Sequence, residues 1–430
     1  MSQFFTLSII VHRPPSTKKM NPQTQSPSVL SQLLRVPVLV AALGYMVDMY
    51  DLFLFSVVRV PSLQELGVTG DQLLPEGITL LNWQMAGLLI GGVLWGVLGD
   101  KRGRLSVLFG SIIMYSLANI ANGFVTNLEM YAVLRFIAGV GLAGELGAGI
   151  TLVTEVLPKE IRGYGTTLVA TLGVLGAILA YFVADLFQWR ISYFVGGGMG
   201  LMLLVLRFNV FESGMFQHLK EKAVNRGDIL SIFTDPTRLR KYVMAIVVGL
   251  PIWFVVGILI TFSPEFGAAK GIQGINAGKA VMLAFTGQVF GDIFSGLLSQ
   301  YLKSRKKVIG LFIVLSVVMM SLYLLLPVSE AFSFYMLCAF LGFCNGYWTL
   351  FITIAAELFG TNIRATVATT IPNFVRGATI PFASLFVWLK GSMGVINAAL
   401  LLGVTVAAIA LLALAFIEET FTKDLDYVER

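Results

Sequence analysis

The chain has 430 residues, 57% of them hydrophobic and only 13% charged, with a mean hydropathy of +0.83. A soluble domain of ordinary composition carries about 25% charged residues, and none could cover this much apolar side chain, so lipid is the natural solvent. The net charge of +6 does not mark a nucleic-acid binder, because Lys and Arg fall mostly between apolar runs.

Residues 1–35 are polar and rich in Pro, Ser and Gln, and are read as a cytoplasmic tail. The stretch Phe4–Val11 is too short for a cleavable signal peptide and lacks a basic leader. Met20, just after Lys18-Lys19, is expected as an alternative start. Apolar runs then follow near Val36–Val60, Ile78–Leu98, Leu105–Phe124, Leu128–Val156, Gly163–Phe187 and Trp189–Phe208. A charged stretch, 209–241, separates them from six more near Tyr242–Phe262, Ala277–Leu302, Val308–Leu326, Phe332–Phe359, Ala365–Leu389 and Val395–Ile417. Each is long enough to cross about 30 Å of hydrocarbon, and backbone polar groups in lipid then require helices. The expected architecture is an all-α integral membrane protein of twelve transmembrane helices. Residues 36–208 form the first six-helix bundle, 209–241 a cytoplasmic loop, 242–417 the second bundle and 418–430 a cytoplasmic tail.

Basic residues set the orientation. With the N-terminus in the cytoplasm, that side holds Arg35, Lys101, Arg102, Arg104, Arg162, Arg207, Lys303, Arg305, Arg364 and most of the others. The opposite side holds only Arg59, Arg190, Lys270, Lys279 and Lys390, so both termini are expected to be cytoplasmic. Cys338 and Cys344 share one apolar run and read as small core residues. His12 and His218 lie outside the apolar runs, which argues against a histidine proton relay. No metal-ligand spacing, cofactor loop or Walker-type phosphate loop is present in the sequence, and no metal or cofactor is expected. The Gly196-to-Gly200 run reads as close helix packing, and Pro251 and Pro381 as kinks.

The two halves repeat. Glu155…Arg162 ends the fourth run and Glu357…Arg364 ends the tenth, offset by roughly 202 in the numbering. The turn Gly96-Val-Leu-Gly99-Asp100-Lys101-Arg102-Gly103-Arg104 has a counterpart at Gly296…Lys307, offset by about 200. Two matches at nearly one offset imply a duplicated six-helix unit with pseudo-symmetric bundles. The Gly96-to-Arg104 turn, together with Arg135-Phe-Ile-Ala-Gly139-Val-Gly141, resembles the signatures of the major facilitator superfamily over about residues 36–420. The second turn departs from the pattern with Gln300 where Asp is expected. The resemblance implies that Gly96, Asp100, Gly103, Arg104, Glu155, Arg162, Glu357 and Arg364 gate the cytoplasmic side through ion pairs and helix ends. The competing reading is a static set of loop salt bridges.

Ionisable residues within the spans are costly and therefore informative. Asp48 and Asp51 lie near the middle of the first run at i,i+3. Two close carboxylates in a low dielectric cannot both ionise cheaply, so one is expected to hold a proton. Glu145, in Gly144-Glu145 on the fourth run, resembles the metabolite:proton symporter branch and joins them as a proton-coupling candidate. Arg376 lies near the midplane of the eleventh run beside Asn373, and suits a carboxylate or phosphate. The alternative for Arg376 is an internal pair with Asp292 or a first-run acid. Arg135, Gln288, Asp292, Asn345 and Trp348 complete the expected solute site, with Arg135 also able to snorkel outward. For Trp348, packing or lipid contact competes as the explanation.

The expected function is secondary active transport by alternating access, with uptake of a small polar metabolite, anionic or zwitterionic, together with protons. Expected partners are the solute, protons and the lipid bilayer of a bacterial inner membrane; no nucleic acid is expected, and the chain is read as a monomer. A proton-driven exporter, a sugar porter and a transporter-like solute sensor stay open as alternatives. An intramembrane enzyme is disfavoured, because no nucleophile–base or metal constellation appears.

Overall fold

The computed structural model describes residues 28–102, 104–158, 161–211, 230–360 and 363–421, and among them every regular element is helical. Residues 1–27, Gly103, 159–160, 212–229, 361–362 and 422–430 lie outside the described residues, as do the side chains of Asp100, Arg104, Glu155, Arg162 and Arg364. Among the described residues, ten stretches are long and apolar enough to cross a membrane. Two more spans complete the set. The shorter apolar helix Val107–Asn122 is the third, and the stretch Thr366–Phe416 holds two spans separated at Gly394, whose φ of 80° no helix accepts.

Caps mark the starts that side chains can make. Asn127 accepts from Met130 N at 2.8 Å ahead of the fourth span, Asn276 from Lys279 N at 2.9 Å ahead of the eighth, and Ser304 from Lys307 N at 3.2 Å ahead of the ninth. The seventh span begins at Pro236, inside the segment expected as loop 209–241. The reason is local: Asp235 caps Thr237 N at 2.7 Å and Pro236 occupies the first helical position. Beyond Pro251 the same span continues as a π-helical stretch, Val255–Ile260, the kind of ladder shift that follows a lost hydrogen bond.

The duplication is visible in the packing. A Cβ on Gly87 or Gly91 would meet the Phe136 and Val140 carbonyls of the fourth span at 2.1 and 2.4 Å. One on Gly287 or Gly291 would meet the Ala339 and Phe343 carbonyls of the tenth at 1.9 and 2.2 Å. Small residues at matching places thus bring the second span onto the fourth and the eighth onto the tenth. Neither the fourth nor the tenth run is one helix, as their lengths had suggested. The fourth divides into Leu128–Leu142 and Glu145–Val156, and the tenth into Ala331–Cys344 and Trp348–Glu357. The halves meet where the second span packs on the eleventh, and where the first and fifth pack on the eighth.

Candidate functional site

The central site lies where these faces meet. Asp48 of the first span and Arg376 of the eleventh are both fully buried, and Arg376 Nη2 stands 3.6 Å from Asp48 Oδ2. The pair joins the two halves. It is loosely made: neither Asp48 oxygen has a hydrogen-bond partner among the described residues, and neither does Arg376 Nε. The guanidinium's remaining contacts are long, to Asn373 Oδ1 at 3.5 Å and Met49 Sδ at 4.0 Å. Leaving a buried polar group unsatisfied costs about 1–3 kcal/mol, so these lightly used polar groups at the bundle centre are available to a ligand.

Aromatic rings frame the arginine. Its guanidinium carbon lies 5.7 Å from the Trp253 ring centroid and 6.0 Å from that of Trp348. The two indoles are 6.4 Å apart at 62°, and Phe53 stacks on Trp253 at 5.7 Å. Trp348 Nε1 donates to Tyr45 OH at 3.0 Å, a second bridge between halves. Asn373 Nδ2 donates at 2.9 Å to the carbonyl of Ala143, which the break in the fourth span frees. Of the expected solute-site residues, Arg376, Asn373 and Trp348 therefore converge. Gln288 is buried on the eighth span. Asp292 and Asn345 were expected to line the cavity, but both turn to backbone instead. Asp292 Oδ1 accepts from Thr349 N at 3.1 Å, and Asn345 Nδ2 donates to Ile252 O at 3.2 Å. Trp253 and Tyr45 were missed as site residues. For Tyr45 the only signal is its place one turn before Asp48.

The two first-span acids have different neighbours. Asp51 faces the sixth span of its own half, where a Cβ on Gly196 would lie 2.3 Å from its Oδ1. Arg135 does not snorkel. It is fully buried, donates to Asn119 Oδ1 at 2.8 Å and Asn122 Oδ1 at 3.4 Å, and covers the Tyr193 ring at 4.8 Å. The third span supplies two amides to it and the sixth an aromatic face, which removes any need to reach the surface.

Glu145 is closed into a bidentate pair. Arg207 Nη2 and Nη1 reach its two carboxylate oxygens at 2.7 and 3.0 Å, and Ser111 Oγ donates at 3.0 Å. Arg207, expected in a cytoplasmic segment, is buried and also donates to Leu108 O at 2.9 Å. Gly44 of the first span allows this, since a Cβ there would fall 2.2 Å from Arg207 Nη2. Glu145 therefore ties the third, fourth and sixth spans. Glu145→Gln is expected to leave a buried cation without its counter-charge and to cost roughly 3–5 kcal/mol. That loss reads out as a lower unfolding temperature of the purified protein, partly restored by Glu145→Gln with Arg207→Met.

A further inter-half pair closes the bundle end opposite the chain termini. Arg59, expected on the side opposite the cytoplasm, is fully buried and holds Glu265 with contacts of 2.8 and 2.9 Å. It also donates to Leu73 O at 3.3 Å and covers the Phe262 ring at 4.7 Å. One turn away, Ser56 Oγ and Thr261 Oγ1 are 3.1 Å apart. At the terminal end, Glu357 pairs with Arg305 at 2.5 Å, a partner not anticipated for it. Arg305 starts the ninth span directly after the second repeat turn, which puts it within reach of the end of the tenth. Gly96 packs against Thr370 of the eleventh span, where a Cβ would make ordinary contact at 3.5 Å.

Comparison with known proteins agrees with this architecture. The family model described as Major Facilitator Superfamily matches residues 41–375. The fold resembles a solved structure described as the proton:xylose symporter XylE, with a TM-score of 0.70 and 17% identity, covering 93% of this chain and 98% of that one. At that identity the likeness speaks for the fold alone. The niacin transporter NiaP of Acinetobacter baylyi is 26% identical over 76% of this chain and 80% of its own length. The sialic acid transporter NanX of Escherichia coli is 27% identical over 63% of this chain and 66% of its own length. With a signature turn, a duplicated twelve-span fold and a family match over most of its length, the chain belongs to the major facilitator superfamily: it is a multi-pass membrane transporter and not an enzyme.

Proposed function

We propose that the chain takes up a small organic acid together with a proton across a bacterial inner membrane, with both termini in the cytoplasm. The observation that carries this is the loosely made, fully buried Arg376–Asp48 pair between the halves. A guanidinium with free donors suits a carboxylate. The flanking Trp253 and Trp348 rings suit a flat ring or conjugated chain on the same molecule. Niacin and sialic acid, the solutes in the relatives' names, are both carboxylic acids.

Charge balance links the proton to the cargo. In the empty carrier Arg376 and Asp48 neutralise each other. A cargo carboxylate that takes Arg376 leaves Asp48 as an unpaired buried charge, which costs several kcal/mol unless a proton joins it. Cargo and proton thus enter together with no net change of charge at the site. Asp51, beside Arg135, is the second acid of the scheme, and Glu145 serves structure. The bundles 36–208 and 242–417 rock about this site. The Arg59–Glu265 pair closes the outer end, and the turns around Gly96 to Arg104, with Glu357, close the inner one.

The test is uptake by proteoliposomes carrying an internal pH dye, with niacin, benzoate, sialic acid and neutral sugars as solutes. An acid that enters with protons is the expected result. A neutral sugar moved without regard to Arg376 would make a sugar porter of the protein, and proton efflux against solute entry would make it an exchanger or exporter.

A further inference from the structure

The tenth span stops at Cys344 and restarts at Trp348, inside the bundle. A helix start exposes N–H groups that need partners, and deep in lipid they must come from protein. Asp292 of the eighth span supplies one, accepting from Thr349 N at 3.1 Å while itself 3% exposed. It reaches that far because the two backbones touch: a Cβ on Gly346 would lie 2.4 Å from Gly291 Cα and 2.5 Å from Asp292 N. A carboxylate also suits the positive end of the helix. The stump before the break is held separately, by Ser316 Oγ donating to Cys344 O at 2.8 Å and by Asn345 to Ile252 O. In the first half the repeat places Gly92 at the corresponding position, where an added Cβ would lie 3.0 Å from the Asn373 Cβ. Only the second half's break therefore carries an acid from its neighbouring span among the described residues.

The first residue after the break is Trp348, which stands over Arg376 and donates to Tyr45 across the halves. We infer that Asp292 is a positioning residue: by capping the half-helix Trp348–Glu357 it fixes the Trp348 indole over Arg376 and so sets cargo affinity, without carrying a proton itself. This rests on the reading of Arg376 and Trp348 as the cargo site.

An acceptor oxygen, and not a charge, is what the cap needs, so Asn should replace Asp and Ala should not. In full-length protein reconstituted in nanodiscs, Asp292→Ala is expected to speed amide hydrogen exchange at 345–352 by about ten-fold, and Asp292→Asn to leave it near wild type. In proteoliposomes with niacin as the probe, Asp292→Ala should raise KM about ten-fold with kcat within about two-fold. Asp292→Asn should keep both values and the proton-to-niacin ratio. Trp348→Ala should raise KM similarly, and the Asp292→Ala/Trp348→Ala double variant should be no worse than Trp348→Ala alone. Unchanged exchange in Asp292→Ala would overturn the cap. Additive KM penalties would overturn action through Trp348, and loss of proton movement in Asp292→Asn would make Asp292 a proton carrier. A wild-type protein that moves none of the acids would sink the cargo reading instead, and the exchange experiment would still decide on the cap.

Discussion

Asp48→Asn carriers are expected to exchange labelled for unlabelled acid across a membrane but to lose accumulation driven by a proton gradient. Asparagine keeps the shape of Asp48 and cannot be emptied of or loaded with a proton, so the site no longer returns to a neutral pair when cargo leaves. Uptake down a pH gradient should fall by roughly 100-fold, the scale set by some 2–3 kcal/mol of lost pairing. Arg376→Gln should fail differently. It removes the cation proposed to meet the cargo and strands Asp48 as an unpaired buried charge, at roughly 3–5 kcal/mol. Both binding and stability should drop, so exchange and uptake vanish together and the purified protein unfolds at lower temperature. The double variant Asp48→Asn/Arg376→Gln separates the two effects. It should recover most of the lost unfolding temperature, because no charge is left unpaired, and recover none of the transport. Accumulation that survives Asp48→Asn would remove Asp48 from the coupling step and turn attention to Asp51 beside Arg135. Transport that survives Arg376→Gln would make that arginine structural.

Much of this was legible from residue order because lipid enforces it. A span needs about 20 apolar residues, so twelve runs could be counted, and a duplicated gene leaves matching turns at one offset. Asp48, Asp51 and Arg376 stood out for the same reason, as charges where hydrocarbon makes charges costly. What residue order hid was partnership. Arg207 lies in the last turns of its span and Arg59 within a turn or two of the end of its own, where a long side chain ordinarily reaches the surface. Only the fold shows that Glu145 and Glu265 hold them inward. The inner break of the tenth span did carry a signal, since Asn345-Gly346 is a turn dipeptide. An apolar run of that length outweighed it. The break in the fourth span, at Ala143-Gly144, had only small residues to mark it. Asp292 was picked out as a buried acid, but its backbone partner exists only because Gly291 and Gly346 let two spans touch.

The Arg59–Glu265 pair carries the other large prediction. It lies at the end away from the termini, it joins the first span to the segment after the seventh, and Ser56 and Thr261 add a hydrogen bond one turn inward. In the proposed orientation this end faces outside, and alternating access would part it once per cycle, so these contacts would break to admit cargo. Glu265→Gln weakens the closed state and leaves Arg59 buried without its counter-charge. Glu265 is itself about one-fifth exposed, so the shift is smaller than for a wholly buried pair, roughly 1–2 kcal/mol or about ten-fold in population. A cysteine placed at Ser56, a buried position, reports the opening. With Cys338 and Cys344 replaced, a membrane-impermeant maleimide added outside should label Ser56→Cys about ten-fold faster when Glu265→Gln is present. The charge swap Arg59→Glu/Glu265→Arg should bring labelling back toward the original rate, because it restores the pair in reverse. Transport should show the same bias, with cargo still binding from outside and kcat reduced, since closing the outer end becomes the slow step. Labelling that ignores Glu265→Gln, or a swap that restores nothing, would reduce the pair to a static tie and move the outer gate to the aromatic contacts of Phe53 with Trp253 and Phe285 deeper in the bundle.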